Sequence, residues 1–479
     1  MPSWIARVTR FVLLVLVFAG PVNSVSGQDE ERTRIFGAIE LAPEMLGVEL
    51  PEGEIVPYAS EHVWTTDENG SGCVARVHVK VGNNFIVKLP DGQLVGRLAS
   101  DVDPTERPFE VMNHAAMAKS LLDDPRLRGF QTHQTDHFVF VYNASPEFAR
   151  VTASVMETML EGVMEYCTQQ GIEVHEPDVI LPVIMFHTDD QFQAYERVPR
   201  GIAAYYAIAS NRVILKQESS LAGRRDDLAE QQLLSTIAHE GAHQILHNIG
   251  VQQRLSRWPM WLGEGIAEYM APTKLGHKFA WKGAGKINDM RMWDLEGFLQ
   301  MQFVKGFDGD TVTRTVSAAS LSATGYASAW TITHYLAEQH KEKFDRYMCY
   351  LSRMPPLQGM YPEDPEDPHV DYNLIHFKKF FGDDVEAFEN AMVEYMARQK
   401  YTSPVEAYPH YVGTAVVPGL NEDTKHCCFY PDEGSLAQWT QAVKESLSEY
   451  EQEHVKFEYY EFPNRGEANR YIRRWKRGR

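Results

Sequence analysis

The chain has little cysteine, a deficit of positive charge and no long apolar run past its N-terminus, and each shortage excludes a class of protein. Five cysteines among 479 residues (Cys73, Cys167, Cys349, Cys427 and Cys428) are too few, and odd in number, for a disulfide scaffold. The adjacent Cys427 and Cys428 also lack the spacing of a zinc clasp or redox pair. Lys and Arg total 46 against 66 Asp and Glu, a net charge of -20, so no nucleic-acid partner is expected, because affinity for a phosphate backbone comes from basic side chains. No segment reaches the roughly 20 apolar residues of a membrane span. There is no internal repeat and no low-complexity tract. What remains, with 44% hydrophobic and 23% charged residues, is a globular composition long enough for two to four domains.

The chain divides by composition. Arg7 and Arg10 precede a short apolar run, Phe11 to Gly20, and small residues follow around Ser24 to Gly27; residues 1–27 read as a secretory signal peptide, which places the mature protein outside the cytoplasm. Val77, Val79 and Val81 alternate with polar residues and Pro90-Asp91-Gly92 marks a turn, so residues 28–108 form a small β-rich module, ending in the charged, proline-bearing linker Asp101 to Pro108. Residues 109–405 interleave strand and helix signals. His137 to Tyr142, Val179 to Phe186 and Arg212 to Lys216 read as strands, the last a candidate open edge, and Ser145-Pro146 starts a helix that Gly171 closes. Tyr361 to Asp371 reads as an acidic surface loop. Residues 406–479 form a small C-terminal α/β unit, with one helix over Ser435–His454, an aromatic run Val455–Phe462 and a solvated basic tail, Arg473–Arg479. The fold class expected is α+β.

The chemistry is concentrated between Leu228 and Gly250. Leu234, Ile237, Ala238, Ala242, Ile245 and Ile249 recur at helical spacing, and HEGAH lies within this stretch. His239 and His243 are one turn and about 6 Å apart on one helix face, so both imidazoles can reach one metal ion. Glu240 projects to one side, where it can polarise a metal-bound water. His247 lies about 12 Å along the axis from His239, too far to join them. Gly241, disfavoured in a helix by about 1 kcal/mol, suggests tight packing below the metal. A catalytic zinc site needs a third protein ligand. The string WLGEGIAEYM on a second short helix after Pro259 supplies two candidates, Glu264 and Glu268.

HEGAH followed by WLGEGIAEY resembles the gluzincin clan of zinc metallopeptidases, specifically its peptidase-MA-like members. The resemblance implies a thermolysin-like domain, a mixed sheet with an HExxH helix and a glutamate helix, in which Glu264 is the third ligand and Glu268 holds His239 by a hydrogen bond. Some gluzincins stabilise the oxyanion with a downstream tyrosine, which points to Tyr326 in TGYASAW, with Tyr205 and Tyr206 as rivals. Together with the stretch His137–Ser219, the same residues are also similar to an uncharacterised domain family of secreted bacterial proteins, over about residues 130–340.

The expected protein is therefore a secreted zinc metallohydrolase holding one zinc ion. It acts on a peptide or protein substrate as a peptidase, with Glu240 as the base. A zinc-containing scaffold or binding protein and a cell-wall amidase are the alternatives; the intact Glu240 speaks against the scaffold, and the ligand set does not separate the amidase.

Overall fold

The computed structural model describes residues 54–57, 61–67, 70–198, 202–219, 226–274, 280–305, 310–358, 370–419 and 422–477. The signal-peptide segment and nearly all of the acidic loop at 361–371 lie outside them. The described residues fall into two compact units, one running up to Lys286 and including Arg314–Asp383, the other comprising Ile287–Thr313 and the residues from Asp384 onward. The architecture is mixed α+β. Its units differ from the boundaries at 108 and 405 read in the sequence: the β module shares a unit with the domain after it, and residues 287–313 join the C-terminal segment.

In the first unit, β1 (Ile55–Pro57), β2 (His62–Thr66), β3 (Gly72–Val81), β4 (Asn84–Lys88), β5 (Leu94–Leu98) and β6 (Asp103–Pro104) form an antiparallel sheet in the order β5-β4-β3-β2-β6, with β1 also on β3. The alternation seen in the sequence buries Ala75 and Val77 against Val87 on one side of β3, and a bulge between Val77 and Val79 turns Val79 and Val81, also buried, to the other side, where Val79 pairs with Ile86. The expected linker is partly structured, since Asp103 and Pro104 pair with Trp64 and Val63.

A second sheet positions the candidate site. Its strands are β7 (Gln131–Gln134), β8 (Phe138–Tyr142), β9 (Leu181–Phe186), β10 (Ala204–Ala207) and β11 (Arg212–Lys216), ordered β10-β11-β9-β8-β7. The three inner strands are parallel, and β7 and β10 close the ends antiparallel. Arg212–Lys216 is thus an inner strand and β10 takes the edge, because the tight β10–β11 hairpin folds the preceding segment outward. Asn211 makes that turn with φ 58°. β8 and β9 are buried along their full length, as strands covered by helices on both faces must be. On one face, Val139, Val141, Ile184, Phe186 and Ile214 pack against Met117 and Leu121 of α1 (His114–Leu122) and Phe192 of α3 (Asp189–Tyr195). The other face receives α2 (Pro146–Gln169) and α4 (Asp226–Asn248).

Local chemistry sets the helix ends as read: Ser145 caps α2 through Phe148 N, and Gly171 follows it with φ 76°. Gly250 ends α4 with φ 90°. After α4 the chain turns back into α5 (Met260–Met270), then the short hairpin β12 (Thr273–Lys274) and β13 (Ala280–Trp281). Helices Ala323–Gln339, Lys341–Ser352 and Tyr372–Phe381 complete the unit.

The second unit holds helices Asp289–Lys305 and Val385–Ala397 and an antiparallel sheet of β14 (His410–Val417), β15 (Thr424–Tyr430) and β16 (Lys456–Phe462), with β14 central. Helices Glu433–Glu445 and Arg465–Lys476 pack on it through Leu436 and Trp439 and through Ala468 and Ile472. The single helix expected over Ser435–His454 breaks in two, since Ser448 starts Glu449–His454 with a capping box to Glu451. The basic tail is largely helical, with Arg473, Arg474 and Lys476 exposed. All five cysteines are free.

Candidate metal centre

The pairing of α4 with α5 builds the centre. α4 lies on β10 and β11 and crosses α2 and α5. Two of its buried amide side chains tie it to the sheet. Gln244 Nε2 donates to the carbonyls of Pro182 and Asn211, and Asn248 Nδ2 donates to Asn211 Oδ1 at 2.7 Å. α5 is held from its far side by helix Ala323–Gln339, where Gly265 permits contact: a Cβ there would lie 2.2 Å from Thr333 Oγ1 and 2.6 Å from the Ala329 carbonyl oxygen. Gly263 faces open space. Gly241, by contrast, does not answer to tight packing as its sequence position suggested. Its added Cβ would meet Met156 at 3.4 Å, close to ordinary contact.

His239, His243 and Glu264 converge, all buried. The two Nε2 atoms are 3.2 Å apart, and Glu264 Oε2 is 3.1 Å from the first and 3.3 Å from the second. Ligand atoms around a tetrahedral ion with bonds of about 2.0–2.1 Å stand about 3.3–3.4 Å apart, so the spacing fits a metal of zinc's size. With both imidazoles neutral, the three atoms are poorly satisfied. His239 Nδ1 lies 3.0 Å from Glu268 Oε1. With the proton of a neutral imidazole placed there, its Nε2 is a bare lone pair facing another Nε2 and a carboxylate oxygen. A cation among them removes the conflict.

The electrostatics agree. Burial alone would lower the His239 pKa, but the charge of Glu268 and hydrogen bonds to Glu264 and Glu268 raise it to about 10. Burial would raise Glu264, yet the His243 charge and hydrogen bonds from both histidines bring it to about 2. The pocket thus draws positive charge inward. Glu240, fully buried, behaves differently: burial raises it to about 7, against opposing pulls from His239 and His243 and a last, smallest one from the Tyr206 backbone. Neither of its carboxylate oxygens has a partner at hydrogen-bonding geometry.

The other residues singled out in the sequence fall as follows. Glu268 stands behind His239, and Tyr326 is buried with its ring 6.1 Å from the His239 ring, edge to face. Tyr205 and Tyr206 engage elsewhere, their hydroxyls donating to Glu196 Oε2 and Asn211 Oδ1 at 2.8 Å each. His247 stacks on Tyr206 at 5.5 Å, and its Nδ1 donates to the Gln252 carbonyl.

Residues 233–358 match a family described as "Protein of unknown function (DUF1570)". The match covers about a quarter of the chain, taking in the part of α4 that carries His239, Glu240 and His243, all of α5, and Tyr326. It starts later and ends further on than the 130–340 read in the sequence. No curated protein matches the chain.

The sequence reading passed over Arg254. Its buried guanidinium donates to Gly92 O at 2.5 Å, to Ala209 O at 2.8 Å and twice to Ile208 O, while His78 Nε2 donates to the Arg254 carbonyl at 2.8 Å. Nearby, Lys88 and Arg76 reach Asp178 Oδ2 at 2.5 and 2.6 Å. The turn Pro90–Gly92 of the N-terminal sheet is thereby fastened to the β10–β11 hairpin and to the segment leaving α4. No local pattern signals this arginine, because its partners are backbone carbonyls 45 to 162 residues away.

Proposed function

We propose that the protein is a secreted zinc-dependent metallohydrolase of gluzincin type, hydrolysing peptide bonds. The observation that carries this reading is the Glu240 carboxylate, buried and unpartnered beside the His239–His243–Glu264 group. A structural metal site has no use for such a group, and a hydrolase does. A zinc ion held by His239, His243 and Glu264 would supply Lewis acidity to a scissile carbonyl and to water.

Glu240 is the base. Burial pushes its carboxyl up from the ordinary carboxylate range, which makes it a better acceptor of a proton from water. It takes one proton from the attacking water while the oxygen bonds to the carbonyl carbon. It delivers that proton to the leaving nitrogen as the C–N bond breaks. Glu268, with Oε1 3.0 Å from His239 Nδ1, is the group that would hold the ring with Nε2 facing Glu264 and His243. Tyr326, packed on the same ring, is the candidate donor to the developing oxyanion. The export sequence at residues 1–27 supports an extracytoplasmic location.

A second reading, a zinc-holding scaffold, is favoured by the depth of the site: His239, His243 and Glu264 are 1%, 5% and 3% exposed. One substitution separates the two. Glu240→Gln keeps the shape and all three ligands, so zinc content measured by mass spectrometry should stay at one per chain while cleavage of an unfolded protein substrate falls by about 10⁴-fold or more. Wild type that binds zinc tightly but cleaves no peptide or amide bond in a broad library establishes the scaffold instead.

A further inference from the structure

A cavity of about 600 Å³ opens in the first unit along helix Lys341–Ser352, against the end of α2, and it shares no residue with the metal centre. Arg346, Cys349, Tyr350 and Arg353 all line it, spaced as i, i+3, i+4 and i+7, so they form one face over two turns. Both arginines are exposed, and neither has a hydrogen bond or ion pair among the described residues. Two uncommitted guanidiniums walling one cavity in a chain of net charge -20 call for an anion.

The opposite character is also present. Asp345 lines the cavity with Oδ2 paired to Lys341 at 3.0 Å, a carboxylate oxygen with lone-pair capacity for a second donor, while Oδ1 is turned inward away from the cavity. Gln170 brings the negative end of α2, whose trailing Gly171 carbonyl receives only the weak Cys349 Sγ–H donor at 3.5 Å. A ligand suited to this wall carries one carboxylate for the arginines, an N–H donor a short distance away for Asp345, and an apolar or aromatic portion to lie on half-exposed Tyr350. A phosphate dianion would bring a second charge and no donor towards Asp345.

We propose that this cavity binds the carboxyl terminus of a peptide, with Arg346 and Arg353 holding the terminal carboxylate and Asp345 accepting a backbone N–H. The proposal is independent of the hydrolase reading, because it requires recognition only and uses none of the residues of the metal centre.

The test is equilibrium dialysis of the full-length zinc-loaded protein against pooled N-acetylated tripeptides, once as free acids and once as amides, with mass spectrometry checking that the peptides stay intact. Free acids should be retained at least about tenfold better than amides. Arg346→Gln and Arg353→Gln should each cost about tenfold or more while zinc content stays at one per chain. Equal retention of acids and amides, undiminished binding in both arginine variants, or no retention at millimolar peptide overturns the proposal. Displacement of the acids by equimolar phenyl phosphate or sulfate assigns the cavity to oxyanions at large and also overturns it. Loss of binding in His239→Ala but not in the arginine variants places the peptide at the metal centre instead, with the same consequence.

Discussion

The closeness of α5 to helix Ala323–Gln339 makes two neighbouring glycines behave in opposite ways. Gly263 and Gly265 flank Glu264 on one helix, and each gains about 0.5–1 kcal/mol of intrinsic helix stability on becoming alanine. At Gly263 nothing lies within 4 Å of the new Cβ, so Gly263→Ala should realise that gain. At Gly265 the Cβ would sit 2.6 Å from a main-chain oxygen and 2.2 Å from Thr333 Oγ1. Carbon and oxygen ordinarily meet no closer than about 3.3 Å, so the two helices must part by roughly 0.7 Å or more. Overpacking of this kind costs about 1–3 kcal/mol, leaving Gly265→Ala about 1–3 kcal/mol less stable than Gly263→Ala. The same displacement shifts Glu264 away from His239 and His243, so metal affinity should fall by about tenfold or more, as it does when ligand supports are disturbed. Urea unfolding of the chelator-treated protein measures the first effect and competitive chelator titration the second. If Gly265→Ala matches Gly263→Ala in both, the account of α5 packing is wrong.

Two further outcomes follow from the same geometry. His239→Ala, His243→Ala and Glu264→Ala should each lose the metal, whereas Glu268→Ala should weaken it by about 10- to 100-fold, read by the same titration; stoichiometric metal in Glu264→Ala with loss in Glu268→Ala would exchange their roles. Arg254→Met should cost about 3 kcal/mol in a urea midpoint analysis, since the carbonyls of Gly92, Ile208 and Ala209 lose a buried donor, and a change within 0.5 kcal/mol would refute the clasp.

The parts of this structure legible in the sequence are those that local chemistry dictates. HEGAH declares itself through a four-residue spacing on an apolar-patterned helix, and Ser145-Pro146, Gly171 and Gly250 mark ends by the conformations those residues favour. The alternation in β3 declares a strand, but the bulge that turns Val79 and Val81 to the face opposite Val77 depends on the pairing with β4 and has no local signal. What stayed hidden depends on distant neighbours. Arg212–Lys216 looks the same to periodicity whether inner or edge, and only the backward fold of the hairpin at Asn211 decides it. Gly241 and Gly265 are both helical glycines near the candidate metal centre, yet only one is required by packing, and nothing in the flanking residues says which. The joining of residues 287–313 to the C-terminal segment rests on contacts such as Tyr401 with Glu296 and Phe429 N with Gln300, over 105 and 129 residues, which no windowed pattern can register.

The Arg254 clasp has a consequence for proteolysis of the chain. The stretch from Asp101 to Pro108, charged and largely outside regular structure, is the sort of segment a protease would nick. In most two-part precursors such a cut liberates the leading piece. Here the guanidinium on Gly92, the Asp178 pair with Lys88 and Arg76, and the Leu94 N to Ala209 O bond at 2.8 Å all join residues on opposite sides of the nick. A cleaved chain would migrate as two bands under denaturing conditions and as one particle under native ones, its first sheet retained as a non-covalent subunit.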